Sequence, residues 1–143
     1  MTASTERSGG LWTRLTGRMW YLWGSSLCYW GIRTSDLSFY RGGIDAFTRA
    51  IDARPDFALA YYRRGLIRGR ELSEHSEGIA DLSTAIALAP EWAEPYLQRG
   101  LLQRFHGDQG AALDDLRQYL ELGGTAYWRA EAERQIAAIL GEQ

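Results

Sequence analysis

Apolar residues along the chain recur at spacings of three and four, as on helices with one buried face. Between residues 58 and 92, Leu59, Tyr62 and Leu66 mark a first helical face, and Leu72 through Glu77 form a polar turn. Ile79, Leu82 and Ile86 mark a second face that stops at Pro90. Asp56 stands where it can cap a helix beginning near Phe57, because a carboxylate takes up amide donors left open at a helix start. Proline has no donor to extend a helix, so Pro55 and Pro90 close two such units. Gly123-Gly124 closes a third as a left-handed helix end.

The same pattern returns along the chain. Gly31, Gly65 and Gly100 are separated by 34 and 35 residues, and Ile44, Ile79 and Leu113 by 35 and 34. The series Phe47, Leu82, Leu116 and Ala50, Ala85, Tyr119 keep the latter spacing. A period in this range is the mark of stacked supersecondary units. Three helix-turn-helix units are expected, 24–57, 58–92 and 93–126, with one extra residue between Gly69 and Gly78 accommodated in a turn.

Two segments flank the units. From Tyr127 to Leu140, Ala130, Ile136, Ala137 and Leu140 lie on one side of a helix, with Arg129, Glu131, Glu133 and Arg134 elsewhere. A helix over 127–143 capping the open end of the stack is expected, the alternative being a detached partner-binding helix. Residues 11–32 hold four of the six tryptophans. Leu11, Trp12, Leu15, Met19, Leu22 and Trp23 cover one face of a helix predicted over 11–23, Arg14, Arg18 and Ser25 lie on the other, and Gly24-Ser25-Ser26 is read as a break. Residues 1–10 are read as disordered. Three readings of this head stay open: a cap on the first unit, an interface for a partner or a second copy, and attachment to a membrane surface, with Trp12, Arg14, Arg18, Trp20 and Trp23 as contacts. Its uncharged run, Met19 to Ile32, has 14 residues, short of the roughly 20 that span a bilayer.

The repeats resemble the tetratricopeptide family. Leu27, Tyr61 and Tyr96 fill its bulky position, Gly31, Gly65 and Gly100 its glycine, and Gly43, Gly78 and Ala112 its small position where the second helix crosses the first. Tyr40 stands where the family often has tyrosine, whereas Thr34, Arg68 and Gln103 depart from it. The resemblance covers residues 24–126 and implies an all-α right-handed superhelix of three hairpins acting as a non-catalytic scaffold or adaptor. Glycine at two of the three small positions costs about 0.5–1 kcal/mol each relative to alanine in a helix, so less rigid repeats are expected.

In such a stack the first helices line a concave face, the default site for a peptide or partner protein. The repeat phase puts Cys28, Tyr62 and Leu97 in one row and Ile32, Leu66 and Leu101 in the next, edged by Arg63, Arg70 and Arg104. An apolar floor with cationic sides suits an acidic or amphipathic peptide. The competing reading pairs these arginines with Glu71, Glu74 and Glu94 on the same surface. Some family members hold acidic chaperone tails through a Lys/Asn/Arg clamp. The matching places here are Cys28, Ile32, Glu94 and Gln98, leaving only Arg63, which disfavours that ligand.

Charge narrows the partner further. The net charge is −2, and residues 1–33 carry four arginines against Glu6, so a head at +3 precedes a body at −5. All 16 basic residues are arginine, and lysine is absent. The acidic body lacks the cationic stripe that a phosphate backbone requires, so nucleic acid is not an expected partner. Cys28 is the single cysteine, so no internal disulfide can form and a reducing cytoplasm is the expected compartment, with membrane association left open through the head.

Catalytic chemistry is not expected. His75 and His106 are isolated in turns and lack metal-ligand spacing. A phosphate loop needs a lysine, and Asp114-Asp115 reads as helix surface. No cofactor is implied.

Overall fold

The computed structural model describes residues 3–141, with side chains from residue 10 onward. Met1 and Thr2, at the start of the segment expected to be disordered, lie outside the described residues; the rest of that segment, from Ala3, is helical, which corrects the expectation. Among the described residues all regular structure is helical: α1 Ala3–Thr34, α2 Leu37–Ala53, α3 Ala58–Leu66 with a π-helical extension Ile67–Glu71, α4 His75–Leu88, α5 Ala93–His106, α6 Gln109–Leu122 and α7 Ala126–Gly141. Each helix packs on its neighbours in chain order. The result is three helical hairpins with a seventh helix against the last.

The first hairpin is held in register by glycines. Gly10, Gly17, Gly24 and Gly31 are spaced by seven, which keeps them on one face of a helix. A β-carbon at Gly17 would meet the Arg54 side chain at 3.0 Å, one at Gly24 the Phe47 ring at 2.9 Å, and one at Gly31 the Tyr40 ring at 2.9 Å. The three partners are also seven apart, so glycine and large side chain alternate in step down two antiparallel helices. The expected break at Gly24-Ser25-Ser26 is therefore a correction: α1 is continuous from Ala3 to Thr34. Gly24 admits the Phe47 ring, and the Ser26 hydroxyl donates back to the Leu22 carbonyl at 3.0 Å, inside the helix.

The register also corrects the repeat phase. In the second and third hairpins Gly65 faces Gly78, Asp81 and Leu82, and Gly100 faces Ala112, Asp115 and Leu116. In the first hairpin the residue facing Gly43 and Phe47 is Gly24, not Gly31. The first helix is displaced by seven residues, about 10 Å at 1.5 Å per residue. The cause is local. Ser35 adopts φ 56° and donates to the Gly31 carbonyl at 2.8 Å, and Asp36 accepts from the Ser38 amide at 2.8 Å, so α2 starts directly after α1. That hydrogen bond also lowers the Asp36 pKa.

The extra residue of the second unit sits in the helix, not in the turn. The Leu72 amide donates to the Ile67 carbonyl at 3.1 Å, five residues back, which is how a helix absorbs an insertion. His75 then opens α4 instead of lying in a turn. Asp56 does not cap α3 through its side chain; Phe57 occupies that position. At the far end α7 docks on the third hairpin through Ala132, Ile136 and Ile139, whereas Ala130, Ala137 and Leu140 of the expected face are exposed. None of the described helices is long and apolar enough to cross a membrane.

Candidate functional site

Two surfaces present chemistry. The first is a cavity of about 190 Å³ between α1 and the α3 segment, lined by Cys28, Ile32, Arg63 and Leu66 together with Tyr29 and Ile67. Four of the nine expected groove residues thus meet in one place. Ile32 is exposed and Leu66 half-buried, so they offer contact area; Cys28 is buried, its sulfur against Gly43. Burial pushes the Cys28 thiol up to about 11, with the Arg63 charge pulling the other way and Glu71 adding to the rise. Cys28 is a neutral packing group at neutral pH.

The remaining groove residues divide. Tyr62 is half-buried, its ring 4.6 Å from Trp92. Its hydroxyl pKa is raised first by burial and then by Glu94, against Arg63 and Arg70. Charges of both signs therefore converge on this stretch. Leu97 is a correction: it is 1% exposed in the core of the third hairpin and cannot form a floor. Leu101 packs against that same core. Arg104 donates to the Gln135 side chain on α7, which makes it part of a joint between elements. Arg63 and Arg70 form no ion pair with the described residues, and Glu74 meets Arg41 at 3.6 Å instead. The expected pairing of groove arginines with Glu74 is thereby replaced.

A repeated polar joint was not anticipated from the sequence. Arg64 grips Asp81 through Nε and Nη2 at 2.9 and 2.7 Å, and its Nη1 reaches the Thr48 hydroxyl of the preceding hairpin at 3.0 Å. Arg99 does the same with Asp115, at 2.7 Å for both bonds, and reaches Ser83 at 3.0 Å. Asp115, expected on the helix surface, is buried. Arg64 and Arg99, Asp81 and Asp115, and Thr48 and Ser83 are each one repeat apart, a spacing that could have exposed the pattern. This arrangement fixes one hairpin on the next.

The second surface is the outer side of α1. Trp12, Met19, Leu22 and Trp23 are all exposed on it, and an open groove of about 730 Å³ runs beside Met19, Trp20 and Trp23. Trp20 is set apart from its neighbours: it is half-buried, with the Arg49 guanidinium 4.6 Å from its ring centre. Among the described residues no cluster of His, Cys, Asp and Glu is arranged to hold a metal.

No protein-family model matches the sequence, and no curated protein matches it. Solved structures do match. The first tetratricopeptide domain of Spaghetti (RPAP3) bound to the HSP90 peptide SRMEEVD superimposes with a TM-score of 0.78 at 20% identity, covering 90% of this chain and 94% of that one. The Arabidopsis OM64 tetratricopeptide domain gives 0.76 at 19% identity, over 88% and 98%. The TPR2B domain of yeast Sti1 in its Hsp70 complex gives 0.75 at 19% identity, over 90% and 99%. At these identities the likeness is one of fold.

Proposed function

Because this chain has the tetratricopeptide-repeat fold, we propose that it is a non-catalytic interaction module that binds a peptide or partner protein along its first helices. Three similar domains, from Spaghetti, human RPAP3 and yeast Sti1, are described with HSP90 or HSP70 peptides or an Hsp70 complex. The observation that carries the reading is the cavity between α1 and α3, where exposed Ile32 and half-buried Leu66 stand beside Arg63. Arg63 and Arg70 form no ion pair with the described residues and so are available to carboxylates of a ligand.

The ligand we propose has an apolar anchor and one or two carboxylates. A chaperone tail is a poorer fit, because Cys28 and Gln98 are buried and Glu94 is anionic where a clamp needs exposed donors. The lone buried thiol supports a reducing compartment such as the cytoplasm.

Peptides selected by display on the full chain test this. Selected sequences should be acidic with an apolar residue, and Arg63→Glu with Arg70→Glu should weaken them at least about tenfold with an unchanged helical circular-dichroism spectrum. Arg104 is left intact because it holds α7. Ligands unaffected by that pair and by Ile32→Asp would overturn the groove assignment.

A further inference from the structure

We propose that the outer face of α1 seats the protein on an anionic lipid surface, lying in the headgroup layer and not crossing it. The proposal goes beyond the groove reading and does not depend on it.

The helix has two faces with different tasks. Gly17, Gly24 and Gly31 face α2. On the opposite side, at helical spacings, stand Trp12, Leu15, Met19, Leu22, Trp23 and Trp30, with exposures from 44% at Leu15 to 68% at Met19. Large apolar side chains exposed side by side on one face mark a site of association, whereas single scattered ones do not. A helix that is apolar on both sides, with one side already packed, leaves the other for an apolar medium.

Charge identifies that medium. From Ser8 to Ser35 the chain has no acidic residue, and its three charged side chains are Arg14, Arg18 and Arg33. Arg14 and Arg18 border the apolar face and form no ion pair with the described residues, and Arg33 lies 6.0 Å from the Tyr29 ring. A second copy would also cover an apolar face, as in a standard dimer interface. Yet its equivalent face brings the same three arginines and no carboxylate. Anionic headgroups supply the missing charge, while tryptophan, tyrosine and arginine each have an apolar body with a polar tip suited to the interface. None of the described helices is long and apolar enough to cross a membrane, so the proposal lays α1 in the surface plane.

The test is flotation of the full chain with phosphatidylcholine vesicles, with and without phosphatidylserine, alongside tryptophan emission and sedimentation velocity. The chain should float with the phosphatidylserine vesicles, with emission shifted to the blue, and at least about tenfold less with phosphatidylcholine alone. Met19→Glu with Leu22→Glu, both exposed and so tolerated by the fold, should abolish flotation; Arg14→Glu with Arg18→Glu should reduce it at least about tenfold. Arg63→Glu with Arg70→Glu should float as wild type, which separates this surface from the groove. Three results overturn the proposal: equal binding to both vesicle types, no binding to either, or a lipid-indifferent dimer that Met19→Glu with Leu22→Glu dissociates. The last would assign the face to a second copy.

Discussion

Arg99 and Asp115 form a two-point contact, Nε to Oδ2 and Nη2 to Oδ1, both 2.7 Å, with Asp115 buried and Arg99 mostly so. The hydrogen bonds to Asp115 raise the pKa of the guanidinium, and burial opposes them. Because Arg99 also reaches Ser83 in the preceding hairpin, the pair acts across a repeat boundary. Removing one partner strands a charge. Asp115→Ala should therefore cost about 2–4 kcal/mol in urea unfolding, near the low end for a buried pair because the arginine side chain is one-fifth exposed. The Arg99→Met, Asp115→Leu double variant should lose much less than the single variants summed. A double-variant loss equal to the sum of the single-variant losses would show that packing, not charge, carries the joint.

Glycine at the small position of the second hairpin is a packing requirement. A β-carbon at Gly78 would stand 2.9 Å from the Gly65 carbonyl oxygen and 3.0 Å from the Gly69 backbone, atoms that cannot rotate aside. Helix propensity alone predicts that Gly78→Ala stabilises by about 0.5–1 kcal/mol. The close approach reverses the sign, and Gly78→Ala should destabilise by about 1–3 kcal/mol. The expectation of softer repeats from their glycines is thereby replaced by one of tighter helix crossings. A thermal melt of the variant decides between the two.

Fold and site were not equally legible in the chain. The repeat came through because Gly65, Gly78, Leu82 and their counterparts Gly100, Ala112 and Leu116 answer to local packing that recurs each period. The register of the first hairpin did not, because Gly24 and Gly31 are both on the packing face and the capped turn at Ser35 and Asp36 chooses between them. Phase alone assigned Leu97 to a groove, yet a face position says nothing of how deeply α6 and α7 cover it. The Arg64 and Arg99 joints were missed because a charged residue on a helix reads as solvated until its partner, 16 or 17 residues away, is placed.

The last turn of α6 carries a cation that belongs to α7. Arg129 Nη1 donates to the Leu120 carbonyl at 2.8 Å and to the Gly123 carbonyl at 2.7 Å, beside the glycine pair with φ 119° and 75°. These carbonyls have no partner within the helix, and a positive charge there also opposes the helix dipole. Arg129→Ala should cost about 1–2 kcal/mol and raise amide exchange selectively in α7. Uniform exchange across all hairpins would show that α7 does not depend on this contact.

Cys28 links the first hairpin to solution pH. The thiol ordinarily ionises at 9.0 and in the fold at about 11, mainly through burial. Below about 9 both folded and unfolded chains hold the proton and the group contributes no pH dependence. Between 9 and 11 the unfolded chain alone releases it, so stability falls as pH rises, by up to about 2–3 kcal/mol across the window. Cys28→Ala removes this slope and leaves a small cavity, so the variant should be less stable at neutral pH yet lose less between pH 9 and 11. A thiol reagent reports the same opening: at pH 8 native Cys28 should react at least about tenfold more slowly than in denaturant. Fast native labelling would mean that α1 leaves α2 readily, since the sulfur lies directly against Gly43 between them.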